Sequence, residues 1–316
     1  MWPMSAARIK ANAVGAVNAF TVDVEDYFHV AALSSAIARD TWGAQEYRVE
    51  RNTERLLHLL ADRNIHGTFF VLGWVAERSA GLVRRIAAEG HEVACHGFSH
   101  QLIYRQTRQA FREETARAKA LLEDAIAQPV LGYRAASFSI VRSSLWALDE
   151  LIDLGFRYDS SIFAIRHDRY GIPDASPHPG VITAPSGRSL TEFPMAPASF
   201  LGLRLPVCGG GYFRIFPYGL TRAGLRRINE LGRPFAFYLH PWEIDPDQPR
   251  VRVNALSRFR HYTNLDRCES RLRRLLGEFT FRPMREVLRS AGLMGEDPSP
   301  AAGRASADRL AHDARL

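Results

Sequence analysis

The chain has 316 residues, 46% hydrophobic and 24% charged, a balance that is typical of soluble globular proteins and argues against general disorder. Its net charge is +7, but the arginines are spread along the whole sequence, so we expect no nucleic-acid partner. Cys95, Cys208 and Cys268 form no CxxC pair, which excludes a zinc knuckle and favours reduced thiols over a disulfide framework.

The first segment, residues 1–18, lacks the continuous apolar run of a secretory signal, because Arg8, Lys10 and Asn12 interrupt it. No stretch approaches the roughly 20 apolar residues that a membrane-spanning helix needs. We therefore expect a cytoplasmic protein and leave peripheral contact with a membrane open.

Strands and helices then alternate along the chain. Short β-rich runs predict strands at Ala19–Val24, Gly67–Leu72, His91–Cys95, Val130–Arg134, Phe156–Asp159 and Phe235–Leu239. Helical periodicity predicts helices between them at Glu50–Ala61, Gly81–Glu89, Phe111–Ile126, Ser143–Leu154 and Leu220–Leu231. This alternation indicates a parallel sheet covered by helices, and five to six such units would suit a closed or nearly closed barrel.

Ile162–Tyr218 breaks the alternation, because it is rich in proline and glycine and has no clean period. Helices are again predicted near Leu265–Leu276 and Met284–Ala291. The expected organisation is an N-terminal segment (1–18), a barrel (19–245) with a loop-rich insertion (162–218), a helical C-terminal extension (246–294) and a disordered tail (295–316).

Polar residues gather where the predicted strands end. They are Asp23, Glu25 and Asp26 after the first strand, His96 and His100 after the third, and then Arg134, Asp159 and His240. In parallel α/β barrels this edge is where active sites are built. Several strands that end in this way are hard to explain by packing alone.

His96-Gly-Phe-Ser-His100 spaces two imidazoles so that both can face one cation. Alone, such a pair is more often structural, but a nearby acidic cluster favours a metal site with an open position for water. Asp23 and Glu25 would share one face of a strand, and Asp26 could join them only after a turn. Whether Glu25 or Asp26 is the carboxylate ligand stays open at this point. The sequence has no HExxH motif, so the corresponding zinc-protease arrangement is absent.

His240 is a candidate proton donor for a departing amine. Arg134 beside a catalytic carboxylate would orient it, and Asp159 behind a histidine would hold its tautomer. For both residues, a purely structural ion pair is the alternative interpretation.

Taken in order, these motifs resemble the NodB-homology polysaccharide deacetylases, carbohydrate esterase family 4, over about Ala19 to Trp242. The likeness rests on Thr21–Asp26, His96–His100, Arg134–Ser137, Asp159–Ser161 and Leu239-His240. It implies an α/β fold, a distorted (β/α) barrel, with a zinc-like ion held by a carboxylate, His96 and His100. It also implies Asp23 as the base and His240 as the acid.

The chain departs from the family pattern at Ala136 and Ser137, which replace the usual proline and tyrosine. It also has an extra residue in the first motif, which resembles D-x-D/E variants of the broader superfamily, some of which open cyclic amides. The backbone N–H after this bend, near Ser137, is still a candidate for holding the oxyanion. We also expect Tyr212 and Trp242 to stack on sugar faces, with core packing as the alternative. The Gly209–Gly211 run would allow close approach of a sugar, unless it is a plain loop.

Thr21–Phe28, Gly209–Arg214 and Phe237–Glu243 resemble one subgroup in particular, the deacetylases of exosortase-associated (PEP-CTERM) exopolysaccharide loci. The resemblance implies hydrolysis of N-acetyl groups in a polysaccharide or lipid-linked oligosaccharide during exopolysaccharide biosynthesis, with a divalent metal ion, zinc by expectation. Two alternatives stay open: an allantoinase-like amidohydrolase of a cyclic amide and a non-catalytic glycan-binding relative. The oligomeric state is not predicted.

Overall fold

The structure is a computed structural model and describes residues 16–167, 169–200 and 202–295. The predicted disordered tail lies outside these residues except for Gly295, and so does most of the predicted N-terminal segment.

One curled sheet organises the described part of the chain. Its strands and those of a separate hairpin are β1 (Val17–Val24), β2 (Thr68–Val71), β3 (Glu92–Cys95), β4 (Gly132–Tyr133), β5 (Tyr158–Asp159), β6 (Gly180–Thr183), β7 (Ser189–Glu192), β8 (Ala198–Phe200), β9 (Leu203–Leu205), β10 (Ala236–Leu239) and β11 (Thr280–Arg282). The order in the sheet is β10-β1-β2-β3-β4-β5-β7-β6, and β11 also pairs with β1. The hairpin is formed by β8 and β9.

Every pair in this sheet is parallel except β6 with β7, which is antiparallel. The predicted α/β architecture is confirmed. Because β10 pairs with β1 in a register that sets Val22 opposite Leu239, the late strand ends beside the early one. This pairing brings Asp23 and His240 to the same edge of the sheet.

Helices cover the sheet. They are α1 (Val49–Ala61), α2 (Gly73–Arg78), α3 (Ala80–Ala88), α4 (Arg108–Ile126), α5 (Ala147–Asp153), α6 (Gly210–Ile215), α7 (Tyr218–Glu230), α8 (Ala255–Tyr262), α9 (Leu265–Glu278) and α10 (Met284–Ser290). The apolar faces of the longer helices supply core residues, for example Leu56, Leu60, Leu122 and Leu225. Among the described residues, no helix combines the length and hydrophobicity needed to cross a membrane.

Two regions contain more regular structure than their sequence pattern indicates. The loop-rich insertion holds β6–β9 and α6, and the extension that was predicted as helical also holds β11. The extension joins the main sheet directly, since Thr280 pairs with Val17. The backbone N–H of Met284 also donates to Oγ1 of Thr68 at 2.7 Å.

Gly209 and Gly210 of the triple glycine pack against β10, and this contact accounts for two of the three glycines without a sugar. Gly209 has φ +123°, and a Cβ there would lie 1.9 Å from the carbonyl oxygen of Tyr238. A Cβ on Gly210, whose φ is +57°, would lie 2.3 Å from the hydroxyl of the same tyrosine. Only glycine fits so close to the backbone of Tyr238 at position 209 and to its ring at position 210, and these contacts fix the start of α6.

Candidate active site and metal centre

Side chains from four strand ends converge at one edge of the sheet. Asp23 lies in β1 and Glu25 directly after it, His96 follows β3, Arg134 follows β4 and His240 follows β10. All except His240 are at least nine-tenths buried, and the His240 side chain is 17% exposed. The parallel register explains the convergence, because the carboxyl ends of parallel strands share an edge.

Glu25, His96 and His100 form a group that could hold a metal ion, with one potential ligand atom from each lying within 4.8 Å of the others. Nδ1 of His96 donates to the carbonyl oxygen of Arg134 at 2.8 Å, which leaves Nε2 as the ligand nitrogen. Burial lowers the pKa of His96 to about 4, so the ring is neutral, as a metal ligand must be.

The loop between the two histidines sets their spacing, and it is not helical. His100 has φ +50° and Gly97 has φ +73°. The carbonyls of Gly97 and Phe98 accept the backbone N–H groups of Gly73 and Trp74 at the start of α2, at 2.8 and 3.1 Å. This attachment holds Nε2 of His100 2.9 Å from Oε2 of Glu25.

The donor set fits a divalent transition metal. Two imidazoles and one carboxylate suit zinc-like ions and leave coordination positions for water and substrate. Oε2 of Glu25 is buried and lies 2.9 Å from Nε2 of His100, so this oxygen faces the second histidine of the group. Burial by itself would raise the pKa of Glu25, but the neighbouring His100 and His240 hold it below its usual range. The glutamate is therefore an ionised ligand candidate.

Asp26 is not part of this group, although the sequence left it as an equal candidate. Its Oδ2 accepts the backbone N–H groups of Arg48 and Val49 at 2.6 and 2.8 Å, and its Oδ1 accepts that of Tyr27 at 2.8 Å. The geometry therefore favours Glu25 as the ligand. Asp26 instead fixes the start of α1.

Asp23 is oriented by Arg134. Nη1 of the arginine donates to Oδ1 of Asp23 at 2.6 Å and to Oγ1 of Thr21 at 2.8 Å. The guanidinium also donates to Oγ and to the carbonyl oxygen of Ser160 at 3.0 and 3.2 Å. With Oδ1 fixed in this way, Oδ2 of Asp23 points towards Nε2 of His240 at 3.9 Å.

His240 faces the metal group with one nitrogen and a buried carboxylate with the other. Nε2 lies 3.3 Å from Oε1 of Glu25, and Nδ1 donates to Oε1 of Glu243 at 2.6 Å. Burial lowers the pKa of His240, but Glu25, Glu243 and Asp23 outweigh it and raise the pKa to about 9. His240 is therefore protonated at neutral pH, as a proton donor should be.

Asp159 does not lie behind His240, which corrects that expectation. Its Oδ1 accepts the hydroxyl of Ser161 at 2.5 Å, and Ser161 Oγ in turn accepts the backbone N–H of Ala135 at 2.8 Å. Asp159 therefore supports the loop after Arg134. It also interacts with buried Glu192, which the sequence pattern did not single out.

The candidate substrate residues take different positions. Ser137 is half-buried at φ +51°, followed by Phe138 at φ +53°, so the bend after Arg134 is present. Tyr212 is half-buried, with its hydroxyl 3.5 Å from that of Tyr170. Trp242 is 5% exposed and stacks on His240 at 5.3 Å between ring centroids. Its Nε1 also donates to Oε1 of Glu25 at 3.4 Å, so Trp242 is mainly part of the wall of the site.

Glu243 and Arg214 are the site residues that the sequence did not assign. Both lie in motifs that indicated a role for other residues, namely the Gly209–Arg214 run and the motif around His240. Glu243 comes three residues after His240, a spacing that puts both on one turn of a short helix. That spacing could have indicated Glu243 as a hydrogen-bond partner of His240. Nothing in the sequence pairs Arg214 with Glu243.

Two family models match the chain, one after the other. Residues 40–158 match "Polysaccharide deacetylase" and residues 160–289 match a "Domain of unknown function (DUF3473)". Asp23 and Glu25 precede the first match, and His240 lies within the second.

The curated relatives match over short stretches. A peptidoglycan-N-acetylglucosamine deacetylase of Bacillus cereus is 33% identical over 22% of this chain and 26% of its own length. A chitooligosaccharide deacetylase of Rhizobium leguminosarum bv. trifolii is 48% identical over 15% of this chain and 22% of its own. The chain thus spans about a quarter of the length of each of these relatives.

The fold itself has a solved counterpart. The crystal structure described as a polysaccharide deacetylase from Mycobacterium smegmatis superposes with a TM-score of 0.63 at 22% sequence identity. It covers 95% of this chain and 97% of its own. This likeness shows that the two chains share a fold.

Proposed function

We propose that this chain, whose family-model match and curated relatives support the polysaccharide deacetylase family (NodB homology, carbohydrate esterase family 4), hydrolyses N-acetyl groups of amino sugars with a bound divalent cation. One observation carries the proposal. Nε2 of His240 lies 3.3 Å from Glu25 and 3.9 Å from Asp23, so an acid and a base face each other across the candidate metal group.

The cation, zinc by proposal, would be held by Glu25, His96 and His100. When bound, such an ion polarises an amide carbonyl and lowers the pKa of water to about 7. Asp23 lies beside this group, and its Oδ2 is positioned to accept a proton from an attacking water. Arg134 keeps the carboxylate in this orientation through Oδ1.

His240 supplies the opposite proton transfer. Its Nε2–H would donate to the nitrogen of the departing amino sugar, while Nδ1–H stays hydrogen-bonded to Glu243. Ser137 and Phe138 form a left-handed bend shortly after Arg134, and we propose that a backbone N–H of this bend stabilises the oxyanion. The conversion needs only water, and its products are acetate and a free amine.

For the substrate we propose N-acetylglucosamine units, since both curated relatives described above are named for glycans of that sugar. The finer proposal is a polysaccharide or lipid-linked oligosaccharide of an exopolysaccharide pathway, processed in the cytoplasm. A lipid-linked glycan would be presented at a membrane surface, which raises the question of which face of the protein meets that surface.

Helix α8 supports a membrane-facing surface. Leu256 and Phe259 lie one turn apart on this helix and are 57% and 52% exposed. Exposed arginines flank them at positions 252 and 258. An exposed apolar pair with flanking cations fits the surface of an anionic lipid bilayer.

Vesicle co-sedimentation tests this surface. We expect binding to vesicles that contain phosphatidylglycerol and little binding to pure phosphatidylcholine. The double variant Leu256→Ser with Phe259→Ser should lose the binding but release acetate from a soluble oligosaccharide at the original rate. Equal sedimentation of the variant and the original protein would refute the assignment.

The activity is tested by acetate release from N-acetylglucosamine oligomers, with and without a chelator. We expect release that a chelator abolishes and added zinc restores, and loss of both metal and activity in His96→Ala and His100→Ala. Allantoin serves as the second substrate, because ring opening without acetate release would support the amidohydrolase alternative. Unchanged metal content and acetate release in both histidine variants would overturn the proposed mechanism.

A further inference from the structure

The proton-donor side of the site lies entirely outside the segment that matches the polysaccharide deacetylase model. That match ends at residue 158, and residues 160–289 match a domain of unknown function. His240, Trp242, Glu243 and Arg214 all belong to this second region. Its contribution to the chemistry can therefore be traced through its own contacts.

The carboxylate of Glu243 is fixed on both oxygens. Oε1 accepts Nδ1–H of His240 at 2.6 Å and the backbone N–H of the same residue at 3.2 Å. Oε2 accepts Nε–H of Arg214 at 2.6 Å. Glu243 is fully buried, so water cannot replace any of these partners.

Arg214 is fixed in turn by backbone carbonyls of the C-terminal extension. Its Nη1 donates to the carbonyl oxygens of His261 and Thr263 at 2.9 and 2.8 Å, and its Nη2 donates to that of Arg260 at 3.0 Å. The residue is only 1% exposed. A buried arginine that meets three carbonyls and one carboxylate holds a single geometry, because guanidinium donors form a rigid fork.

We propose that Glu243 and Arg214 are positioning residues for His240, and that the region of unknown function supplies the proton-donor half of the active site. Glu243 holds the proton on Nδ1 and so directs Nε2–H towards Asp23 and Glu25. Arg214 links Glu243 to the C-terminal end of α8 and to Thr263, which lies between α8 and α9. The inference rests on the proposed function and extends it to residues that do not touch the substrate.

Kinetics with a matched control test this assignment. In Glu243→Gln the amide cannot accept from both His240 and Arg214, so His240 loses its fixed orientation. We expect kcat for acetate release to fall about 10- to 100-fold, part of what a positioned acid contributes, with KM and metal content unchanged. The control is Asp245→Asn, which breaks another buried ion pair of the same segment, with Nε of Arg48 at 2.7 Å. It should lower stability and leave kcat within twofold of the original value.

A proton NMR measurement separates this inference from the proposed function. The hydrogen bond between Nδ1 of His240 and buried Glu243 should give a downfield, slowly exchanging resonance in the unaltered protein, absent from His240→Gln and shifted or lost in Glu243→Gln and Arg214→Lys. This result would support the positioning role even if no glycan released acetate. A missing resonance in the unaltered protein, or a kcat within twofold of the original in folded Glu243→Gln, would overturn it.

Discussion

At the scale of single residues, three carboxylates close together in sequence meet three different sets of neighbours. Asp23 pairs with Arg134, Glu25 lies between His100 and His240, and Asp26 accepts backbone N–H groups. The chemistry of the side chains is the same, so only the surroundings distinguish them. The sequence predicted the cluster but could not decide between Glu25 and Asp26 as the metal ligand, because the turn after Val24 decides which of them faces the histidines.

Glu25 and Asp26 should therefore respond differently to the same loss of charge. Glu25→Gln removes the ionised ligand, so we expect it to lower metal content strongly while the protein stays folded. Asp26→Asn cannot accept all three backbone N–H groups, so it should keep the metal and lower the free energy of unfolding by about 1–3 kcal/mol. Metal analysis of the purified variants, with denaturant unfolding of each, measures both effects. Loss of metal from Asp26→Asn in its folded state would contradict the assignment of Glu25.

At the scale of elements, the strands and helices of the alternating part of the chain were predictable, but the strands of the insertion and the supporting contacts were not. Strands β1, β2, β3 and β10 are short apolar runs with clear ends, and the parallel arrangement followed from their alternation with helices. The partners of Asp159 were not predictable in this way. Glu192 lies in β7, inside the region without a period, and meets Asp159 only because β7 pairs with β5.

The pair Asp159–Glu192 has a consequence for the pH dependence of stability. Burial raises the pKa of Asp159 from 3.8 to about 6, and burial together with the charge of Asp159 raises the pKa of Glu192 well above 4.5. Arg134 is the cation near Glu192 and offsets only part of this. The folded state therefore holds protons that the unfolded state releases. This stabilisation is complete below about pH 4 and is lost as the pH rises through about 6 and beyond.

Glu192→Gln removes one titrating group while the other stays in place. We expect the free energy of unfolding of this variant to fall less between pH 4 and 7 than that of the unaltered protein. Urea unfolding at several pH values measures the difference, with Asp153→Asn as an exposed control. An equal slope for Glu192→Gln and the unaltered protein would show that the pair does not share a proton in the folded state.

At the scale of the whole molecule, the boundary between the two family matches does not divide the fold. The sheet crosses it three times, since β5 pairs with β7, β10 with β1 and β11 with β1. The functional groups are also divided, with Asp23 and the candidate metal ligands on one side and His240 on the other. A sequence motif marks each group, but strand pairing over long separations decides that they meet. That pairing is what the local sequence pattern could not specify.

A shared sheet implies that both matched regions unfold together. Removing residues 160–289 would leave β1 without its partners β10 and β11 and β5 without its partner β7. It would also leave the candidate metal group without its proton donor. We therefore expect one cooperative thermal transition, with far-ultraviolet circular dichroism, tryptophan fluorescence and calorimetry giving coincident midpoints. Removing the proposed cation should lower the common midpoint without splitting it, because a ligand that binds only the folded state stabilises the whole cooperative unit. Two separate transitions in the metal-free protein would show instead that the two regions are independent folding units joined at a binding interface.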